Sequence, residues 1–170
     1  MIMALQKIDI QTWEGKPFEA IGKDWFLLTA GTQEQGFNFM TASWGQMGIL
    51  WNRPSVTCYV RHSRYTYGFM EEQDTFTLTF LPESQRDALK FCGANSGRAC
   101  DKVKETGLHP ITLDGGVSFE EATLVLVCKK QFSADMKTED LPKTIADSFY
   151  ANDAAHKLYI GEIISAYAQV

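Results

Sequence analysis

Residues 75–81 read TFTLTFL, so threonine alternates with large apolar residues along the segment. Successive side chains of a β-strand point to opposite faces, and this alternation therefore predicts a half-buried strand. Other segments are predicted as strands because they alternate or are rich in apolar, β-branched and aromatic residues. They are residues 25–31, 37–44, 55–61, 123–132 and 156–167. The last two are long for strands, so we expect bends or bulges in them.

Helix signals are fewer, and they do not alternate regularly with the strands. Helices are predicted over residues 63–73, 83–92, 101–106 and about 142–150. Ser63 is a common N-cap residue, whereas Gly93 and Gly107 are common stop signals. Many short strands with few helices predict a mainly β fold built as a closed or nearly closed barrel. A doubly wound α/β sheet would need regular alternation and a GxGxxG turn, which the sequence lacks.

Length and charge limit the classes of partner. A chain of 170 residues predicts one domain, residues 1–170. The net charge of −5 and the absence of a basic stripe argue against a nucleic-acid partner. We expect a cytoplasmic protein without a membrane partner, because the sequence shows no targeting segment and no apolar run of about 18 residues.

The cysteines form no CxxC pair, so zinc and thioredoxin-type chemistry have little support. Cys58 and Cys128 lie in apolar strand-like runs and are expected to be buried. Cys100 lies in the polar loop SGRACDK, where it could be exposed and could have a redox role. No metal site is predicted, since the histidines form no HExxH or related pattern.

The segment Arg61–Thr66, RHSRYT, lies between a predicted strand and a predicted helix. The first turn of a helix has N–H groups without helical acceptors and carries partial positive charge. Adding arginine and hydroxyl side chains there predicts an anion site suited to phosphate. The alternative interpretation is that Ser63 only caps the helix and the arginines are solvated.

Two further segments carry features of a ligand site. NFMTASWG, residues 38–45, places small and hydroxylated side chains at the end of a strand, where a planar ligand could approach the backbone. It could equally be a strand that ends in a turn, with Trp44 and Trp51 in the core. In the loop SGRACDK, Lys102 could add charge to a phosphate site or could be a surface lysine.

The ordered combination of NFMTASWG, LWNRPSVTCYVRHSRYTY, TFTLTFL, SGRACDK and HKLYIGEI resembles the flavin reductase-like family, which includes flavoredoxins. The resemblance runs from about residue 25 to residue 163. It implies a split β-barrel that binds FMN, commonly as a homodimer. The sequence departs from the family where an acidic residue often follows SGR, because Ala99 and Cys100 stand there.

The resemblance also implies roles for particular residues. The positions that match flavin contacts along the isoalloxazine are Met40, Thr41, Ala42, Ser43 and Trp44. Those that match the phosphate and ribityl contacts are Arg61, Ser63, Tyr65 and Thr66, and those in the covering loop are Ser96, Gly97 and Lys102. His156 matches a position near the flavin, where it could orient a nicotinamide or receive a proton. It could also be a structural residue at the start of the last strand.

Three functions remain open at this stage. The first is an NAD(P)H-dependent flavin reductase, in which NADH or NADPH passes hydride to flavin N5 and no protein acid or base is required. The second is a flavoredoxin-like carrier that takes electrons from a donor protein and passes them to an acceptor. The third is a domain that binds FMN without redox chemistry. The sequence has no nucleotide-binding motif that would distinguish NADH from NADPH.

Overall fold

A computed structural model of the chain describes residues 4–169, so the two ends of the predicted domain 1–170 lie outside the described residues. The strands are β1 Leu5–Ile8, β2 Phe26–Thr32, β3 Gly36–Ala42, β4 Gly45–Leu50, β5 Arg53–Arg61, β6 Thr75–Phe80, β7 Pro110–Leu113, β8 Gly116–Phe119, β9 Leu124–Asp135 and β10 His156–Gln169. The helices are α1 Pro17–Glu19, which continues as a π-helical turn to Asp24, α2 Tyr65–Glu72, α3 Arg86–Ala94, α4 Lys102–Thr106 and α5 Lys143–Phe149. Short 3₁₀ turns occur at Ile10–Thr12, Glu83–Gln85 and Thr138–Asp140.

The main sheet is antiparallel and follows the order β3-β2-β6-β9-β10-β5-β4, with β1 added alongside β10. The path has two ends, β3 and β4, so the sheet is not closed by hydrogen bonds within the described residues. The chain itself joins these ends through Ser43 and Trp44. Together with the hairpin of β7 and β8, this arrangement is the predicted mainly β fold with short helices, a split β-barrel.

The sheet curls around one apolar cluster. Side chains from strands far apart in the sheet order meet there, among them Phe26 of β2, Val60 of β5, Phe76 of β6 and Tyr159 of β10. A second cluster lies between β2, β3 and α3 and includes Leu27, Phe39, Leu89 and Phe119. Full burial of each such side chain stabilises the fold by roughly 1.5–3 kcal/mol.

The predicted irregularity in the long strands is confirmed. The register of β9 against β10 shifts between Ile160 and Gly161 and again between Ile163 and Ser165. A Cβ added at Gly161 would come within 2.5 Å of the Phe76 ring and 3.0 Å of Cys128 Cβ. Only glycine therefore lets the last strand approach the core at this bulge.

The predicted strands are all present, with ends shifted by up to three residues. Strand β3 ends at Ala42 rather than Trp44, because the chain leaves the sheet there to begin β4.

The helix ends differ from the prediction in two places. Ser63 is not the N-cap of α2: Arg64 occupies that position and makes no side-chain capping bond. Gly93 does not stop α3, which runs on to Ala94, whereas Gly107 does end α4 with a left-handed φ of 71°.

Several burial predictions are also decided. Cys58 and Cys128 are buried, as predicted, and burial raises the pKa of both thiols. Trp44 and Trp51 are not core residues, since 45% and 61% of their surface is exposed. Cys100 is partly exposed, and its thiol points to the carbonyl of Ser96.

Candidate functional site

A donor-rich depression of about 230 Å³, which we call the cradle, lies where β3 and β5 meet the start of α2 and the loop after α3. Its lining contains the side chains expected for an anion site: two arginines, a lysine, hydroxyls and amides. The cradle is lined by Asn38, Met40, Arg61, Ser63, Arg64, Tyr65, Thr66, Cys92, Asn95, Ser96, Gly97, Lys102 and Asp153.

Arg61 links the cradle to residues 149–155, the last residue of α5 and the segment after it, which we call the strap. Its Nη2 donates to the Phe149 carbonyl at 2.8 Å, and its Nη1 donates to the Ala154 carbonyl at 3.1 Å. The guanidinium also lies 5.0 Å from the centre of the Tyr150 ring, within the range of a cation–π contact. Arg61 therefore holds the strap in place and keeps further N–H groups for a ligand.

Arg64 is less engaged by the protein than Arg61. Its side chain makes one long hydrogen bond, 3.5 Å from Nη1 to the Gly93 carbonyl. The neighbouring Ser63 hydroxyl donates to the Asp153 carboxylate at 3.0 Å, so Ser63 serves the strap rather than the helix. The alternative interpretation, in which Ser63 only caps the helix, is therefore wrong.

Lys102 is a buried lysine and not the surface lysine of the alternative interpretation, with only 5% of its surface exposed. Its Nζ donates to the Phe39 carbonyl at 2.7 Å and to the Cys92 carbonyl at 3.1 Å. Desolvation lowers its pKa from the ordinary value. The ammonium ties β3 to α3 and has one N–H left for the cradle.

Close packing fixes the loop at the edge of the cradle. A Cβ added at Gly97 would lie 2.1 Å from Asn38 Oδ1 and 3.0 Å from the Tyr65 ring. Asn38 is itself buried and donates to the Thr66 hydroxyl at 2.8 Å. The loop therefore approaches β3 and α2 closely only because residue 97 is glycine.

A second depression, which we call the platform, also has a volume of about 230 Å³ and adjoins the cradle. The two share Met40, Arg61 and Arg64. The platform is lined by Met40, Thr41, Ala42, Ser43, Trp44, Tyr59, Arg61, Arg64 and His156. Its wall thus combines a strand end of small and hydroxylated residues with aromatic rings.

His156 lies at the base of the platform and is buried. Its Nδ1 is 2.8 Å from the Tyr150 hydroxyl, and its ring packs 5.4 Å from that of Trp44. Burial, and then the positive charge of Arg61, lower the pKa of His156 to about 4. The imidazole is therefore neutral at neutral pH, with one ring nitrogen turned to Tyr150.

A third, more apolar depression of about 610 Å³ continues from the platform. It shares Ser43, Trp44 and Tyr59 with the platform and extends along Phe18 and Met47. Its position next to the platform gives room for a second planar molecule.

All twelve predicted cofactor contacts, and His156, line the cradle or the platform. Their role as flavin contacts stays a prediction. The predicted contacts do not include Asn38, Tyr59 or Asp153, although Asn38 is the first residue of NFMTASWG. A polar residue between apolar neighbours was a signal for Asn38, whereas Asp153 reaches the cradle only through tertiary contact from 90 residues away.

The sequence model of the flavin reductase-like domain family matches residues 19–169. The chain belongs to that family. The match covers every strand of the main sheet except β1. It also includes all residues that line the cradle and the platform. A search of curated protein sequences found no match.

Solved structures share the fold of this flavin reductase-like domain at low sequence identity. An FMN-binding domain of a flavin reductases-like enzyme from Shewanella baltica has a TM-score of 0.69 and 17% identity, covering 99% of this chain and 79% of that chain. The flavoredoxin from Methanosarcina acetivorans has a TM-score of 0.68 and 21% identity, with 96% and 74% covered. An NADH:FAD oxidoreductase from Streptomyces globisporus has a TM-score of 0.63 and 18% identity, with 84% and 73% covered. Among the described residues, no helix is both long and apolar enough to cross a membrane.

Proposed function

We propose that this flavin reductase-like domain is an FMN-binding oxidoreductase that is reduced by NADH or NADPH. The observation that supports the proposal is the adjoining cradle and platform, which share Met40, Arg61 and Arg64. A donor-rich depression that opens directly into one with small and aromatic walls matches the two ends of FMN, a phosphate and a planar ring system.

The cradle fits a phosphate by the chemistry of its donors. Among the residues that the structure describes, most side-chain N–H groups of Arg64 have no partner, and Arg61 keeps some of its own. The first turn of α2 adds N–H groups without helical acceptors, and Ser96 adds a hydroxyl. We propose that these groups hold the phosphate, while Tyr65, Thr66 and Gly97 contact the ribityl chain.

The platform fits the planar ring system. Strand β3 ends at Ala42, so the backbone of Ser43 and Trp44 is outside the ladder of β2 and can meet a ligand edge. Met40 and Trp44 supply apolar and aromatic contacts. When bound, the flavin would supply the redox chemistry, accepting hydride at N5 from a reduced nicotinamide.

The proposed role of the chain's own residues is to position the reactants. The apolar depression along Phe18 and Met47 would admit the nicotinamide next to Trp44. His156 is neutral and hydrogen-bonded to Tyr150, so its proposed role is to hold the platform in shape. Hydride transfer to the flavin requires no protein acid or base at the platform.

The test is an anaerobic stopped-flow experiment with FMN-loaded protein and either NADH or NADPH. We expect rapid loss of the visible flavin absorbance with one nucleotide or both, faster than with free FMN. FMN that binds but stays oxidised with both nucleotides would contradict the reductase and favour the flavoredoxin-like electron carrier. Failure to bind FMN would contradict both.

A further inference from the structure

The cradle contains a carboxylate where an anion site would be expected to have none. Among the described residues that line the cradle, Asp153 is the one acidic side chain. Its Oδ2 accepts the hydrogen bond of the Ser63 hydroxyl at 3.0 Å and lies 3.8 Å from Arg61 Nη1. Asp153 thus occupies the Ser63 hydroxyl and places a negative charge beside Arg61, one of the proposed phosphate ligands.

The strap holds this carboxylate in position. Arg61 binds the carbonyls of Phe149 and Ala154, on both sides of Asp153 in sequence. The Ala154 N–H donates to Asp153 Oδ1 at 2.8 Å, which fixes the carboxylate from the backbone side. The hydrogen bond from Ser63, together with the Ala154 N–H and the charges of Arg61 and Arg64, lowers the pKa of Asp153. Asp153 is therefore ionised at neutral pH.

A carboxylate and a phosphate compete for the same donors, whereas a carboxylate and a hydroxyl can bond to each other. A terminal phosphate bound by Arg61 would lie near the negative charge of Asp153 and would compete with it for the Ser63 hydroxyl. The terminal hydroxyl of riboflavin can donate to the Asp153 carboxylate without displacing it.

We propose that Asp153 is a specificity-determining residue that weakens the binding of flavins with a terminal phosphate relative to riboflavin. The inference rests on the proposed flavin-binding function. Removing the charge while keeping the shape, as in Asp153→Asn, strengthens FMN binding and leaves riboflavin binding nearly unchanged.

The test is the dissociation constant of FMN and of riboflavin, measured by flavin fluorescence for the wild type and Asp153→Asn. We expect Asp153→Asn to lower the dissociation constant of FMN about tenfold, because it removes one partly solvated charge near a dianion. The dissociation constant of riboflavin should change less than about twofold. Asp147→Asn is the matched control, because Asp147 is an exposed carboxylate of α5 that pairs with Lys143 outside the cradle. We expect that variant to leave both constants unchanged.

The outcomes separate this inference from the proposed function. The inference is overturned, and flavin binding stands, if Asp153→Asn leaves the affinity for FMN unchanged or weakens it. The same holds if the variant changes the affinities for FMN and riboflavin equally. If the wild type binds neither flavin, the proposed function fails and the inference fails with it. A fall in the FMN constant that Asp147→Asn reproduces would show a general charge effect, which also overturns the inference.

Discussion

At the scale of single residues, the burial of His156 makes the free energy of unfolding depend on pH. Its folded-state pKa of about 4 lies below the ordinary value of 6.5, because burial disfavours the charged ring. The unfolded chain therefore takes up a proton first as the pH falls. We expect the free energy of unfolding to decrease by about 2 kcal/mol between pH 6.5 and pH 4 on account of this residue. Urea unfolding of the wild type and His156→Asn across that range measures it, and the variant should show a weaker decrease.

His109 provides a control of opposite sign. Its hydrogen bond to Glu121 raises its pKa above 6.5 on an exposed surface. The contribution of this hydrogen bond to the free energy of unfolding is fully present below pH 6.5 and is lost as the pH rises through the raised pKa. His109→Asn should therefore change how the free energy of unfolding depends on pH above pH 6.5, where His156 has little effect. A His156→Asn profile identical to the wild type would contradict the assignment of a buried, neutral imidazole.

At the scale of elements, the strap depends on Arg61. Replacing Arg61 with Gln removes the bonds to the Phe149 and Ala154 carbonyls and the contact with Tyr150. We expect amide hydrogen exchange in residues 149–155 to accelerate about tenfold, while β9 and β10 stay protected. Arg53→Gln serves as the control, because Arg53 pairs with Glu162 away from the strap. Equal exchange in the strap of both variants would show that Arg61 does not hold it.

The buried ammonium of Lys102 joins two elements that are distant in sequence. Lys102→Met would leave the carbonyls of Phe39 and Cys92 without this donor, at an expected cost of about 1–3 kcal/mol in the free energy of unfolding. Lys104 lies exposed on the same helix, so Lys104→Met should change stability by less than about 0.5 kcal/mol. Equal urea midpoints for the two variants would contradict the structural role of Lys102.

The elements differ in how well the sequence predicts them. Alternation predicted β6, and apolar or β-branched runs predicted β2, β5, β9 and β10, because each has a buried face. Strands β1, β7 and β8 have four residues each, too few for a period to show. Strand β4, GQMGIL, contains two glycines and lies at the end of the sheet, where pairing with β5 determines its conformation.

The candidate site shows the same division. Residues 61–66 could be selected because arginines, a hydroxyl and a helix start are adjacent in sequence. Asp153 and Tyr59 could not be, since only the folded sheet brings the strap and β5 to the cradle and the platform. The burial of Lys102 was also beyond prediction, because its carbonyl partners belong to β3 and α3.

At the scale of the whole molecule, we propose the homodimer that the resemblance implied. Large apolar side chains remain exposed in the described part of the chain, including Phe18 at 95% and Ile49 at 65%. The resemblance carries this proposal, and burying such side chains between two copies would remove apolar surface from water. Light scattering should give twice the chain mass of 19.1 kDa. A monomer at micromolar concentration would contradict the dimer and leave the fold unaffected.

The central claim is that the cradle binds the phosphate of FMN, and an equilibrium titration tests it most directly. The titration follows quenching of flavin fluorescence for the wild type, Arg64→Gln and the control Arg53→Gln. Arg64 suits the test because its side chain makes a single long hydrogen bond among residues 4–169, whereas Arg61 and Lys102 hold backbone carbonyls at shorter distances. We predict one FMN per wild-type chain and an affinity about tenfold to a hundredfold weaker in Arg64→Gln, with Arg53→Gln unchanged. Equal FMN affinity in all three proteins, or no saturable binding in any, would contradict the claim.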